Sequence, residues 1–168
     1  KYSKKTPREH VLLRPDTYVG DIEPTTEMMW VKSTKNEYLE KKEINYVPGF
    51  YKIFDEILVN ARDACINDKS SDTIDVEINQ EEGFISVLNN GNIGIPIEEH
   101  KIHKSLIPSM IFGEMLTSSN FDDEEKRTTG GRNGYGAKLT NIFSTKFEVT
   151  IVNKKSKKKF SQVWTDNM

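Results

Sequence analysis

From position 50 the apolar residues fall at Phe50, Ile53, Phe54, Ile57, Leu58, Ala61, Ala64 and Cys65. That spacing predicts an amphipathic helix with a core-facing stripe along its whole length, the strongest periodic signal in the chain. Such a stripe has to be buried against a second layer. The segment that follows supplies one candidate. Ile74, Val76 and Ile78 alternate with Asp75 and Glu77, Glu81-Glu82-Gly83 turns, and residues 84–88 form a second strand of a hairpin.

The remaining chain reads as shorter pieces. Residues 8–13 predict a helix that ends at Arg14, because Pro15 disfavours helical geometry at the residue before it, and 15–20 read as a loop. Met28-Met29-Trp30-Val31 and Ile44-Asn45-Tyr46-Val47 predict strands separated by a polar surface excursion over 32–43. A helical turn is expected over 97–102, a short helix over 109–116, a long mobile loop over 117–134, a helix over 135–144, and a hairpin of 146–152 with 159–164.

With 168 residues the chain is one domain's worth of protein, and 24 basic against 26 acidic residues leave a net charge of −2. Periodic apolar runs exclude a disordered polyelectrolyte, even at 35% hydrophobic and 30% charged residues. The near-neutral balance means that any polyanion contact would come from local clusters such as Lys154, Lys155, Lys157, Lys158 and Lys159, a phosphate-binding patch in form; without interleaved aromatics a solvated hairpin tip is the favoured reading. One cysteine, Cys65, excludes an internal disulfide or a cysteine-rich zinc cage, and no apolar run reaches membrane-spanning length.

Three constellations carry chemistry. Glu56, Asn60 and Asp63 stand at i, i+4 and i+7 of the long helix, within roughly 60° of one another at about 100° per residue. A carboxylate and a carboxamide one turn apart suit a general base and an oxygen ligand for a hard cation such as Mg²⁺; a solvated helix face is the alternative. Asn89-Asn90-Gly91 ends the second strand of the hairpin, where a carboxamide can read the edge of a base or simply close a turn. Gly130-Gly131-Arg132-Asn133-Gly134-Tyr135-Gly136-Ala137-Lys138 feeds glycines straight into a helix, which has the form of a phosphate cradle or of a hinge. It is neither a P-loop, since Ala137 stands where the P-loop lysine belongs, nor a dinucleotide fingerprint, since Leu139 replaces the third glycine.

In this order the three elements resemble the ATPase fold shared by gyrase, heat-shock chaperones, histidine kinases and mismatch-repair proteins. Leu12-Leu13-Arg14-Pro15-Asp16-Thr17-Tyr18-Val19-Gly20, Phe54-Asp55-Glu56-Ile57-Leu58-Val59-Asn60-Ala61, Leu116-Thr117-Ser118-Ser119-Asn120 and the 131–138 segment are similar to the N-terminal ATPase domain of eukaryotic type II DNA topoisomerases. The resemblance implies an α/β two-layer sandwich, helices on one face of a mixed, mostly antiparallel sheet, with residues 1–168 as the N-terminal ATPase domain, a fragment of a longer chain. It implies ATP and Mg²⁺ as cofactors, Glu56 as general base, Asn60 on Mg²⁺ and Asn89 on adenine. Ser118, Ser119 and Asn120 would contact ribose and phosphates. Gly131, Arg132, Asn133, Gly134, Tyr135, Gly136, Ala137 and Lys138 would wrap the triphosphate, and Tyr2 would reach into the partner subunit's nucleotide site. DNA is implied as a partner through the full-length enzyme, with a homodimer on ATP binding, no membrane and a nuclear location.

The chain departs from the family pattern in one loop: Gly91-Asn92-Ile93-Gly94 holds one residue more than the usual Gly-x-Gly, which leaves the path after Asn90 open. It also ends at Met168, ahead of the second domain that in the family supplies a lysine to the γ-phosphate. A nucleotide-gated binding module of the same fold, as in a chaperone or mismatch-repair clamp without DNA strand passage, is the alternative function. A phosphotransferase to histidine is disfavoured, because His10, His100 and His103 sit in no acceptor-like motif.

Overall fold

A computed structural model describes residues 2–117 and 134–168. The chain opens with α1 (Pro7–Leu13), whose Thr6 and Glu9 form a reciprocal capping box, Glu9 N–H donating to Thr6 Oγ1 at 3.2 Å and Thr6 N–H to Glu9 Oε2 at 2.8 Å. The expected loop after Arg14 is instead a single helical turn, α2 (Asp16–Val19). Pro15 holds φ at −59°, already helical, and its carbonyl accepts from Tyr18 and Val19 N–H at 2.9 Å. Proline breaks the helix before it but is pre-set to start the next one, which places Val19 in the core.

β1 (Thr25–Lys32) and β2 (Leu39–Tyr46) pair antiparallel in one register, from Thr25 opposite Tyr46 to Lys32 opposite Leu39. The polar excursion expected over 32–43 is therefore half strand, Lys32 and 39–43, with 33–38 as the connection. Its residues fail the alternation test because the face that carries Met28, Trp30 and Leu39 is exposed despite its apolar side chains, while the half-buried face of Thr25, Met29, Val31, Ile44 and Tyr46 also carries Glu40 and Lys42.

α3 (Pro48–Asn67) is the long helix, roughly 30 Å from end to end. Its stripe is buried through the middle, where Ile53, Phe54, Ile57 and Leu58 are half-buried and Ala61 is buried, while Phe50 at one end is 61% exposed, contrary to a stripe covered throughout. β3 (Ile74–Asn79) and β4 (Phe84–Asn89) form the expected hairpin. No helix forms at 97–102. There Glu99 bridges Leu106, and His100 Nδ1 accepts the N–H groups of Ile102 and His103 at 3.3 and 3.2 Å, so local side-chain bonds replace the helical ones. α4 (Ile107–Gly113) and α5 (Gly136–Ile142) are each one to two turns, and β5 (Lys146–Asn153) pairs β6 (Lys158–Thr165).

The result is α/β: helices α3, α4 and α5 lie against strands β4, β6 and β5 respectively, and the described strand pairs are three antiparallel two-stranded ladders. Among the described residues no helix is long and apolar enough to cross a membrane. The centre of the core is Val11, Val19, Leu139 and Ile142, with Tyr18, Ile53, Met115, Tyr135 and Phe143 packed around it. Thus α1, α2 and α3 all meet at α5. Ile142 is fully buried. Ile142→Ala should cost about 2–5 kcal/mol, seen as a lower urea midpoint at unchanged slope; a loss under about 1 kcal/mol would place the core elsewhere.

Candidate functional site

Glu56 lies midway along α3 with its side chain 24% exposed. One oxygen, Oε1, accepts from the Lys52 ammonium at 2.6 Å, an i,i+4 pair on the helix surface, and Asp55 stands 3.7 Å from the same ammonium. The Glu56 hydrogen bond is the main reason the Lys52 ammonium is held more basic than usual. For so exposed a pair the gain is a few tenths of a kcal/mol, enough to orient the carboxylate and too little to immobilise it.

The other oxygen faces α5. A methyl group on Gly136 would run into Glu56 Oε2, so the first residue of α5 comes as close to the carboxylate as a residue without a side chain allows. α5 is pinned there by packing and by two side-chain bonds: Thr140 Oγ1 donates to Ile53 O at 2.7 Å, and Asn141 Nδ2 donates to Phe112 O at 2.9 Å. Asn60 and Asp63 follow Glu56 on the next turns of α3, Asn60 exposed and Asp63 half-buried. Among the described residues no group of three or more His, Cys, Asp or Glu forms a protein-only metal cage. Glu56 and the exposed Asn60 amide fit a hard cation that takes most of its ligands from phosphate and water, as Mg²⁺ does.

Lys138 departs from the picture of a cation displayed on a lid. It is 3% exposed, and its ammonium donates to Thr117 O at 2.7 Å. Burial pulls it down to about 8. The lysine therefore joins α5 to the residue preceding Ser118. Gly134 and Tyr135 lead into α5, Tyr135 edge-on to Tyr18 at 6.1 Å, and Ala137 is buried. Ser118, Ser119, Asn120, Gly131, Arg132 and Asn133 lie outside the described residues. Tyr2 is fully exposed.

Asn89 ends β4 opposite Ile74, exposed, its amide 3.5 Å from Asn90 O. Its neighbour Asn90 turns the other way. Asn90 Oδ1 accepts from Asp72 N–H at 3.0 Å and Thr73 N–H at 3.2 Å, and its amide donates to Asp72 Oδ1 at 2.7 Å. The two asparagines thus differ: Asn89 is exposed at the strand end, and Asn90 ties the strand to the loop before β3.

Sequence reasoning missed Asp68, the residue on which the 89–96 loop rests. Buried at the C-terminus of α3, it accepts the N–H groups of Asn92 and Ile93 on Oδ2 at 2.6 and 2.7 Å, and Ser70 N–H and Oγ on Oδ1. The Ile93 backbone bond, followed by those of Ser70, holds its carboxyl down at about 2. An aspartate two residues before a serine at a helix end is an Asx-turn signal, but nothing local points to residues 92 and 93.

A carboxylate seated against the glycine start of a helix, a carboxamide one turn on, and a second carboxamide at a strand end are the working parts of one class of ATPase. The family described as "Histidine kinase-, DNA gyrase B-, and HSP90-like ATPase" matches residues 46–165, and the chain belongs to it. Within that class, the chain is 58% identical over 167 residues to DNA topoisomerase 2-alpha of Gallus gallus and 56% identical over 168 residues to DNA topoisomerase 2 of Penicillium chrysogenum. It spans 11% and 10% of those proteins, and 99% and 100% of its own length is matched. Among solved structures, the ATPase region of Saccharomyces cerevisiae topoisomerase II superposes with a TM-score of 0.94 at 49% identity, covering 99% of this chain and 44% of that one. The ATPase and transducer domains of DNA topoisomerase II from Balamuthia mandrillaris give 0.95 at 53%, covering 99% and 42%.

The Glu56–Gly136 contact is open to a direct check. Gly136→Ala should destabilise the chain by about 1–3 kcal/mol through overpacking, and in a Glu56→Ala background most of that cost should vanish, because the obstructing carboxylate is gone. Urea denaturation of the two single variants and the double variant measures it; strictly additive losses would mean that the two residues do not touch.

Proposed function

We propose that the chain binds and hydrolyses Mg-ATP, as the N-terminal ATPase domain, residues 1–168, of a type II DNA topoisomerase. The observation that carries the reading is Glu56 set against the start of α5: a base whose free oxygen faces the backbone expected to hold the triphosphate. Glu56 takes the proton of the attacking water, and Lys52 orients its carboxylate. Asn60 offers its amide oxygen to Mg²⁺, and that ion, when bound, neutralises charge on the phosphates. Asn89 reads adenine with one donor and one acceptor. Ser118, Ser119 and Asn120 hold ribose and phosphates, and the backbone of Gly131, Arg132, Asn133, Gly134, Tyr135, Gly136 and Ala137 wraps the triphosphate, with Lys138 adding its charge from beneath.

In the longer protein, ATP binding closes a homodimer, Tyr2 reaches the partner subunit's nucleotide, and closure is coupled to passage of double-stranded DNA in the nucleus. The names and shared length of the topoisomerase relatives support this assignment over a chaperone or mismatch-repair clamp.

Glu56→Gln in the full-length protein should bind ATP nearly as well as the parent and lose hydrolysis by about 10²–10⁴-fold, since the amide keeps the shape and cannot take a proton. Supercoil relaxation should fall with it. Turnover at the parental rate would remove Glu56 from the role, and a protein that hydrolyses ATP without relaxing DNA would favour the clamp.

Lys138 makes a second, independent check. Free, its ammonium titrates at about 8 because burial disfavours the charge; phosphate oxygens nearby favour the charge and return it towards 10.5. Nucleotide binding should therefore take up about half a proton at pH 8 and almost none a unit and a half lower. Calorimetry in two buffers of different ionisation enthalpy reads this directly; proton release, or no exchange at pH 8, would place Lys138 away from the phosphates.

A further inference from the structure

The loop after Asn90 carries the extra residue that sets this chain apart from the Gly-x-Gly pattern, and the structure shows how it is absorbed. Gly91 takes φ +148°, and any Cβ there would press on Asp68 Oδ2. The next two N–H groups, of Asn92 and Ile93, both point at that same oxygen, at 2.6 and 2.7 Å, and Asn92 N–H also lies 2.9 Å from Ser70 Oγ. A pair of adjacent amides converging on one carboxylate oxygen is a tight grip, because each bond to an ionised acceptor is about twice as strong as a neutral one.

The opposite side of the loop is held as well. Asn153, 6% exposed at the end of β5, donates its amide to Ile93 O at 3.3 Å and Ile95 O at 3.2 Å. Its own oxygen is fixed by Ser156 N–H at 2.9 Å. Ile93 is therefore gripped through its N–H by the end of α3 and through its carbonyl by the end of β5. Asn90 anchors the loop's start through Asp72 and Thr73. Asn89, by contrast, is exposed and makes only the long contact to Asn90 O.

We propose that Asp68 and Asn153 form a two-sided clamp that positions the Asn89 strand end for purine recognition, with Asp68 the principal positioning residue. The inference rests on the reading of Asn89 as the adenine contact and deepens it. The added residue supplies the second N–H that Asp68 grips, so the loop is lengthened without loosening. A loop held in its binding conformation is populated before nucleotide arrives; one released from the clamp has to be ordered by the nucleotide, which weakens apparent affinity by the fraction of competent loop. Chemistry at Glu56, on another part of α3, is untouched.

Asp68→Asn is the direct test. Asparagine has one acceptor oxygen, so it cannot serve both the Ser70 side and the Asn92–Ile93 side, and its amide would meet the two N–H groups donor to donor. In the full-length protein, KM for ATP should rise about ten-fold or more with kcat within about two-fold, the signature of lost binding rather than lost chemistry. The preference for ATP over GTP, measured by competition with non-hydrolysable analogues, should shrink in parallel. Asn153→Ala, which leaves Asp68 intact, should move KM the same way by about three-fold, and it decides the matter if the Asp68 variant does not fold. Thermal melting confirms that each variant is folded at the assay temperature.

A folded Asp68→Asn with parental KM, a drop in kcat at constant KM, or an Asn153→Ala without effect would each overturn the clamp. Asn89→Ala separates the two levels of the argument. If it leaves the ATP-to-GTP ratio unchanged, the adenine assignment itself is wrong; if it erases the ratio while Asp68→Asn does not, the assignment stands and the clamp fails.

Discussion

Everything at the site depends on α5 lying flat against α3. The contact is made by Leu139 and Ile142, both essentially fully buried, and it is registered by the Thr140 hydroxyl on the carbonyl of Ile53. With that register fixed, Gly136 has to meet Glu56, one helical turn further along α3. Hydrophobic burial supplies most of the stability here, since it is proportional to area and indifferent to direction. The one hydroxyl-to-carbonyl bond contributes about a kcal/mol and supplies the direction. The Glu56 carboxylate is thereby set against the start of α5 by residues that have no part in the proposed chemistry.

The charges are arranged with the same economy. Glu56 has a lysine on one oxygen and the glycine backbone of α5 against the other, so its two oxygens meet different surroundings. Lys138 is the reverse case, a cation placed where water cannot stabilise it and with a carbonyl as its described partner. A buried ammonium of that kind is poised to gain from any anion that approaches. Asp68 is the third variant: a carboxylate whose four donors all come from its own chain, and which is for that reason the least responsive of the three.

The sequence revealed those parts whose signal is periodic or local. α3 was legible because its stripe repeats over four turns, the β3–β4 and β5–β6 hairpins because one face alternates, and Glu56 and Asn60 because helical spacing puts them together. Pro15 reads as a break because it disfavours helical geometry at Arg14, yet its own fixed φ starts the next helix. Alternation misled along β2, whose first five residues are all exposed, so that the strand is held there by pairing with β1 rather than by a buried face. Asp68 and Asn153 were invisible for a different reason: their partners lie far along the chain, and no window of sequence contains both ends of such a bond.

The two tryptophans occupy opposite surroundings. Trp30 stands on the exposed face of the β1–β2 hairpin, 68% exposed, whereas Trp164 packs beside Phe147 with its indole edge against Gly113, where a single methyl would collide with it. Under ultraviolet excitation the molecule therefore emits from two populations. One is already solvated in the folded state and nearly blind to unfolding; the other, half-buried, reports the seam between α4 and β6. Neither indole sits on α3 or α5, so the tryptophan emission of the folded protein carries no direct reporter on those two helices.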